Sequence, residues 1–262
     1  MNLNLTNKVS VVLGASHGLG RGVATCLAEE GCRIAMCSRS NIDLHNFADE
    51  LTSTYNTPVI STSLDVSCKV DLENFLDNVL NTFGHIDILV NNGGGPKPSA
   101  SISLSNDDFS EAYELVLMSK VNATLKVLPS MILRRSGVVI NIESTSAKEP
   151  LKNMALSNTF RAASLAFAKT VALEHAADGI TVKTILTGPF LTRRVEELGK
   201  VHSNTQGIEY SKWLSTATEN VPLGRFGDPL EFGRLVAFLA SEQSLFMTGN
   251  SIALDGGVLA SM

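Results

Sequence analysis

The sequence contains little of what marks secreted, membrane-spanning or nucleic-acid-binding proteins. Among 262 residues there are four cysteines and one tryptophan, 18% of the residues are charged, and the net charge is −5. Such a balance provides no basic surface for nucleic acid or anionic lipid. No stretch approaches the ~20 consecutive apolar residues needed to cross a bilayer, and residues 1–7 have neither the basic nor the apolar region of a secretory signal. We therefore expect a cytoplasmic protein with no membrane or nucleic-acid partner.

The cysteines do not have the spacing of metal ligands. Cys26, Cys32, Cys37 and Cys68 form no Cys-x-x-Cys pair and have no histidine pattern beside them, so we predict that the chain holds no zinc. Cys32 and Cys37 lie beside or within an apolar run and are typical of small buried hydrophobic residues.

Seven short apolar runs alternate with stretches of helical periodicity. The runs are rich in β-branched residues, as expected for strands buried on both faces of a parallel sheet. Their bounds are Val9–Leu13, Arg33–Cys37, Val59–Leu64, Ile86–Val90, Val138–Ile142, Thr181–Leu186 and Ser251–Leu254. Repeated strand–helix units predict an α/β fold with a doubly wound, seven-stranded parallel sheet and helices on both faces. No linker interrupts the pattern, so residues 1–262 are expected to form a single domain.

The helices between the strands are predicted from the spacing of their apolar residues. The clearest are Gly18–Glu30, Val70–Phe83 and Ala162–His175, and Gly31, Gly84 and Gly179 stand where helices should end. The segment at about 190–220 departs from the pattern because it is polar and contains Trp213. We interpret it as a helical lid over the carboxyl ends of the strands, where ligands bind in such sheets. The alternative is a surface insertion that touches no ligand.

A glycine-rich segment follows the first predicted strand and opens the first helix. It comprises Gly14, Ala15, Ser16, His17, Gly18, Leu19 and Gly20. Glycines let the backbone approach a pyrophosphate, and the helix N-terminus presents free N–H groups to it. This position predicts a dinucleotide site, although a purely structural turn is the alternative.

The residue after the second strand predicts which dinucleotide binds. An acidic side chain there would accept hydrogen bonds from the ribose 2′-hydroxyl of NAD, but this chain has Ser38-Arg39-Ser40. A guanidinium offers bidentate hydrogen bonds to the additional 2′-phosphate of NADP. We therefore predict NADP(H) rather than NAD(H), with His17 as a further polar group beside the phosphates. A solvated Arg39 at a helix start is the alternative.

Over nearly its whole length the chain resembles the short-chain dehydrogenase/reductase family, whose Gly-x-x-x-Gly-x-Gly spacing the glycine-rich segment matches. The resemblance implies a Rossmann-type fold and further cofactor contacts. These are Asp65 and Val66 for the adenine, Asn91 and Gly93 in the loop after the fourth strand, and Gly188, Pro189 and Thr192 for the nicotinamide carboxamide. It also implies a homotetramer built from the long helices around 115–133 and 158–175 and from the C-terminal strand.

The catalytic positions implied by the resemblance are altered. Ser144 matches the serine that orients the substrate, but Ser157 and Arg161 stand where the family has its Tyr-x-x-x-Lys pair, and Val116 replaces an asparagine. A serine hydroxyl is a much weaker acid than a phenol, and a guanidinium does not give up its proton in proteins. We therefore expect Ser157 and Arg161 to serve primarily as cofactor contacts and only secondarily as catalysts.

The loop after Ser144 offers a substitute proton donor. Lys148, followed by Glu149, is expected over the cleft, and if it were partly buried beside Arg161 it could act as an acid. A solvated pair of loop charges is the alternative.

The altered helix resembles an atypical subgroup of 3-oxoacyl-(acyl-carrier-protein) reductase-like proteins, which leaves two hypotheses. One is an NADP(H)-dependent oxidoreductase that transfers a hydride to or from a small or carrier-bound carbonyl substrate. The other is a catalytically impaired nucleotide-binding protein, acting as a sensor or scaffold.

Overall fold

The strands form one parallel sheet in a computed structural model that describes residues 2–261, apart from the side chain of Arg194. Along the sheet the order is β3-β2-β1-β4-β5-β6-β7. In chain order the strands are β1 Val9–Leu13, β2 Arg33–Ser38, β3 Val59–Ser63, β4 Ile88–Asn91, β5 Gly137–Ser144, β6 Ile180–Thr187 and β7 Asn250–Leu254. The predicted seven-stranded parallel sheet is thereby confirmed.

Helices cover both faces of this sheet. They are α1 Gly18–Glu29, α2 Asn41–Tyr55, α3 Lys69–Phe83, α4 Asn106–Ala112, α5 Ser119–Arg134, α6 Ala155–His175, α7 Arg193–Gln206, α8 Tyr210–Ala217 and α9 Pro229–Ala240. Side chains of α1, α2 and α9 pack in one apolar cluster on one face, and those of α3, α5 and α6 pack in a second on the other. Alternate residues of the strands enter the two clusters, which is why apolar residues predominate on both faces of most strands.

The order of the strands reverses at β1. This strand pairs with β2 on one side and with β4 on the other, so the loops that follow β1 and β4 part to opposite faces of the sheet. Such a switch point leaves a crevice at the carboxyl ends of the strands, which is the usual ligand position in a doubly wound sheet.

Two elements are longer than their apolar residues predicted. β5 continues through Glu143 to Ser144, and α6 begins at Ala155 rather than at Ala162. Each extension includes a buried polar side chain, Glu143 at 1% exposure in β5 and Ser157 at 2% in α6. A pattern of apolar residues cannot identify such positions, because it depends on the assumption that buried means apolar.

The predicted helix ends are confirmed. Gly84 ends α3 with a φ of 82°, and Gly31 follows α1 with a φ of 81°. Both angles lie in the left-handed region that a side chain disfavours. Gly179 has a φ of 78° at the end of the turn that follows α6.

A continuous helical run extends from α4 to α5 and contains one π-helical stretch, Tyr113–Met118. At 29 residues the run is long and apolar enough to cross a membrane by length and composition alone, which was not expected from the sequence. However, α5 packs against α3 and α6 within the fold. A core helix of this kind passes the same test as a membrane span.

Candidate active site

The predicted dinucleotide residues converge on a cleft at the switch point of the sheet. Its wall is built from the loops that follow β1, β2, β3 and β4, together with the start of α7. Among the predicted residues, those that line it are Gly14, Ser16, His17, Gly18, Leu19, Arg39, Asp65, Val66, Gly93 and Thr192.

The cleft also has walls that the sequence analysis did not identify. These additional residues are Ser38, Ser40, Leu64, Asn92, Gly94, Gly95, Leu115 and Arg193. Most, including Arg193 beside Thr192, are neighbours of predicted residues, whereas Leu115 comes from the helical run that follows β4. The position of Leu115 at the cleft depends on tertiary packing, so no local motif could have indicated it.

Some predicted cofactor residues lie behind the cleft wall. Asn91 is fully buried, and a Cβ on Gly20 would lie 2.2 Å from the carbonyl oxygen of Gly14. Gly20 therefore permits close packing of helix on strand. Gly188 packs against Asp255, and Pro189 lines a separate small cavity.

The asparagines after β4 connect neighbouring elements at the carboxyl ends of the strands. The Asn91 side-chain amide donates to Asn141 Oδ1 at 2.9 Å and to Thr124 Oγ1 at 3.1 Å. The Asn92 amide donates to the Gly14 carbonyl at 3.0 Å. These bonds fix the loop after β4 beside the glycine-rich loop, and so they set the width of the cleft.

Cationic side chains stand at the outer end of the cleft. Arg39 is exposed, and Arg193 Nη1 lies 2.7 Å from His17 Nε2. The other ring nitrogen of His17 lies 2.9 Å from Ser16 Oγ. Asp43, at the start of α2, lies 3.9 Å from Arg193. Helix α7 is thus joined to the glycine-rich loop through Arg193 and His17.

The segment predicted as a lid consists of α7, α8 and their connections. Trp213 of α8 stacks on Tyr210 with ring centroids 5.5 Å apart and on Phe226 at 6.1 Å. A Cβ on Gly199 would lie 2.2 Å from the indole, so this glycine lets α7 approach Trp213. The helical part of the prediction is confirmed, while the role as a lid stays a prediction.

A buried charge cluster lies behind the end of the cleft that Gly95 lines, which we call the inner end. Glu143, on β5, is 1% exposed, and Lys120, on α5, is 2% exposed. Glu143 Oε1 accepts a hydrogen bond from Lys120 Nζ, and Glu143 Oε2 accepts one of 2.8 Å from Arg161 Nη1. One carboxylate is therefore shared by two cations from different helices.

Serine hydroxyls continue this network towards Ser144. Arg161 Nε donates to Ser157 Oγ at 3.1 Å, and Ser157 Oγ lies 3.4 Å from Ser146 Oγ. The backbone N–H of Ser146 donates to Ser144 Oγ at 3.2 Å. The structure thus places Ser144, Ser157 and Arg161 near one another, with Ser146 between the two other serines.

Burial, opposed by the Glu143 carboxylate and assisted by the Arg161 charge, lowers the pKa of Lys120 to about 8. An ammonium loses its hydration when it is buried, which favours the neutral amine. The cluster therefore holds Lys120 close to its titration point, whereas an exposed lysine would be fully protonated at neutral pH.

Neither Lys120 nor Glu143 was identified as a functional residue from the sequence. Glu143 follows an apolar strand and Lys120 lies one helical turn after Val116, which is fully buried. In both cases the sequence did contain a signal, namely a charged residue at a position where the pattern of the strand or helix calls for an apolar one.

The loop after β5 differs from the expectation of a partly buried lysine beside Arg161. Lys148 is exposed, and the acidic partner of Arg161 is Glu143. The neighbouring Glu149 carboxylate instead accepts hydrogen bonds from the backbone N–H of Ser261 at 2.6 Å and of Ala260 at 3.4 Å. Glu149 therefore holds the chain's last described residues against the loop.

A doubly wound sheet with a glycine-rich loop, a cleft at its switch point and a serine at the end of β5 defines a dinucleotide-binding protein of the Rossmann type. Residues 14–259 match the family model described as enoyl-(acyl carrier protein) reductase. The chain belongs to the short-chain dehydrogenase/reductase family.

Relatives cover the chain almost completely. The 3-oxoacyl-(acyl-carrier-protein) reductase FabG of Vibrio cholerae is 31% identical over 98% of this chain and 99% of its own. Oxidoreductase UcpA of Salmonella typhimurium is 32% identical, over 97% and 95%. The crystal structure of L-sorbose reductase from Gluconobacter frateurii, complexed with NADPH and L-sorbose, has a TM-score of 0.97, 29% identity and complete coverage of both chains.

We expect Glu143→Gln to lower the free energy of unfolding by about 3 kcal/mol, because it leaves two buried cations without their anion. Adding Lys120→Met should restore at least about 1 kcal/mol by removing one of those cations. Urea denaturation of the two variants measures both effects. Glu242→Gln, at an exposed position, is the matched control; a Glu143→Gln cost below about 1 kcal/mol would contradict the role given to the cluster.

Proposed function

We propose that the protein is an NADP(H)-dependent oxidoreductase that transfers a hydride between nicotinamide and a carbonyl or alcohol substrate. The observation that carries the proposal is the cleft, whose lining includes the glycine-rich helix start and Arg39 after β2. Its loop at Gly95 lies beside Arg161, which is linked through Ser157 and Ser146 to Ser144 at the end of β5. The solved L-sorbose reductase contains NADPH, and curated relatives are reductases, which supports both the cofactor and the reaction class.

In this proposal, different residues bind the phosphates of the cofactor and the oxygen of the substrate. The N–H groups at the start of α1 would hold the pyrophosphate, and Arg39 with His17 would bind the 2′-phosphate. Nicotinamide supplies the hydride when bound. Ser144 Oγ would donate a hydrogen bond to the substrate oxygen and so stabilise the charge that develops on it.

The proton comes from water or another group on the solvent side. Lys120 is separated from Ser144 by Glu143, Arg161 and Ser157, and a guanidinium does not pass a proton on. Ser157 and Arg161 therefore hold the cofactor and the substrate in position in this proposal. Positioning alone can supply much of the rate of a hydride transfer.

The second candidate is a nucleotide-binding protein that turns over slowly or not at all, as a sensor or scaffold. The ion pair between Arg161 and Glu143 favours this candidate, because the side chain at the family's lysine position is here bound to a carboxylate of the protein itself. We also propose placement in the atypical 3-oxoacyl-(acyl-carrier-protein) reductase-like subgroup, which the sequence around Ser157 and Arg161 resembles. The names of the relatives support a small-molecule or carrier-bound carbonyl substrate, and we propose a cytoplasmic location.

Turnover separates the two candidates. With NADPH and a panel of ketones, and with NADP⁺ and secondary alcohols, we expect a change in cofactor absorbance for at least one substrate. Ser144→Ala should lower kcat/KM for that substrate by about 100-fold, because it removes a donor to the developing oxyanion.

Tight cofactor binding without turnover across the panel would favour the sensor or scaffold. Lys148→Ala tests the remaining candidate proton donor in the same assay. Because Lys148 is exposed, we expect the kcat of the Lys148→Ala variant to stay within about twofold of the wild-type value. A loss of tenfold or more would identify Lys148 as the proton donor.

Cofactor choice depends on Arg39 in this proposal. Arg39→Gln should weaken NADPH binding by about tenfold or more, equivalent to about 1.4 kcal/mol, and leave NADH binding unchanged because NADH has no 2′-phosphate. Fluorescence titration gives both Kd values, with Arg234→Gln on the exposed side of α9 as the control. Equal losses for the two cofactors would contradict the assignment.

We also propose a homotetramer, as the family resemblance implies. Apolar side chains stand exposed on α5 and α6, including Leu133 at 86% and Leu173 at 71%, and before β7, where Phe246 is fully exposed. Exposed apolar patches on a folded chain are typical of subunit interfaces. Light scattering should give a mass near four times 28.0 kDa, and a monomer would refute the assembly.

A further inference from the structure

Arg161 has one edge that the protein does not use. Its Nε donates to Ser157 and its Nη1 to Glu143, while Nη2 has no hydrogen bond to a described residue. The side chain is 13% exposed. A partly buried guanidinium with free N–H donors is costly unless something accepts from them.

This free edge faces the loop at the inner end of the cleft. A Cβ added to Gly95 would lie 3.5 Å from Nη2, and Gly93, Gly94 and Gly95 all line the dinucleotide cleft. The three glycines carry no side chains that could cover the guanidinium. A ligand in the cleft can therefore approach Nη2 across a bare stretch of backbone.

The charges behind this edge leave a positive excess. Lys120 and Arg161 share one carboxylate, that of Glu143, so with Lys120 protonated the cluster carries one net positive charge. Both Glu143 oxygens are engaged by the cations, and Glu149 is tied to the backbone of Ala260 and Ser261. No acidic side chain among the described residues makes an ion pair with the outward edge of Arg161.

We propose that the outward edge of Arg161 binds a carboxylate of the substrate, so that the protein prefers oxo acids over neutral ketones, esters and thioesters. This rests on the proposed function. A guanidinium matches the planar geometry of a carboxylate better than that of a single hydroxyl. Glu143 is then a positioning residue, which fixes the guanidinium so that only Nη2 and the free hydrogen of Nη1 reach the ligand.

The reaction balances without a further reactant. The ketone carbon of the oxo acid takes a hydride, with two electrons, from NADPH, and the carbonyl oxygen takes a proton from water, which leaves as hydroxide to the solvent. The products are a hydroxy acid and NADP⁺. The carboxylate is unchanged and serves as the group by which the substrate is held.

Matched substrate pairs test the preference. We would measure NADPH oxidation with 2-oxobutanoate, 3-oxobutanoate and 4-oxopentanoate, each beside its methyl ester, and with a neutral 3-oxobutanoyl thioester. For the best pair we expect the acid to exceed the ester at least tenfold in kcat/KM. Arg161→Gln should reduce that ratio to below about twofold, and Arg161→Lys should retain part of it.

Two results would overturn the proposal. The first is a wild-type preference for the ester or the thioester. The second is an acid-to-ester ratio that is unchanged in Arg161→Gln, with NADPH affinity either retained or reduced by tenfold. The reduced affinity would assign the edge to the nicotinamide ribose. Arg234→Gln controls for loss of a surface charge, and the unfolding midpoint of Arg161→Gln checks that the variant is folded.

A binding measurement keeps the inference testable if the protein does not turn over. Calorimetric titration of 3-hydroxybutanoate into the complex with NADP⁺ should give a Kd at least tenfold weaker for Arg161→Gln than for the wild type. Equal binding to both proteins, or binding to neither, overturns the carboxylate site. Absence of turnover alone would instead count against the proposed function.

Discussion

The inner half of the site depends on one buried carboxylate. Glu143 ends the apolar part of β5 in an interior that cannot solvate its charge, so the fold must supply cations to it. Lys120 comes from α5 and Arg161 from α6, and the shared carboxylate ties both helices to the central strand. The position of Arg161 in turn orients Ser157. The replacements at these positions are therefore physically linked, since a change at one leaves an unpaired charge at another.

The two ends of the cleft are built on different principles. The phosphate end consists mainly of backbone, and its shape follows from glycines, from the strand order and from asparagine side chains that tie the loops together. The inner end consists of charged and hydroxyl side chains held by one another. A binding function survives changes of the inner end as long as the backbone framework remains, so cofactor binding and turnover are separable properties in this chain.

The sequence was most informative where local chemistry determines structure. Apolar runs and glycine positions predicted the sheet, the helix ends and most of the cleft lining. The inner site was less predictable, because Lys120 and Glu143 lie 23 residues apart and their contact depends on how α5 packs on β5. Lys148 was left open between a partly buried acid and a solvated loop charge, and the structure, in which its side chain is exposed, agrees with the second. Charged residues at positions where an apolar residue is expected can indicate a buried charge cluster when all of them are considered together.

The contact between Glu149 and the backbone of residues 260 and 261 has a practical consequence for handling the protein. That carboxylate lies only five residues beyond Ser144, so the far end of the described chain and the loop beside the site are mechanically joined. Any fusion partner or affinity tag attached after residue 261 would pull on this loop or crowd it. Recombinant material for kinetic work is therefore better extended at the amino-terminal end. Leu3 and Leu5 there pack in the first apolar cluster and precede β1, at the amino ends of the strands, whereas the cleft lies at their carboxyl ends.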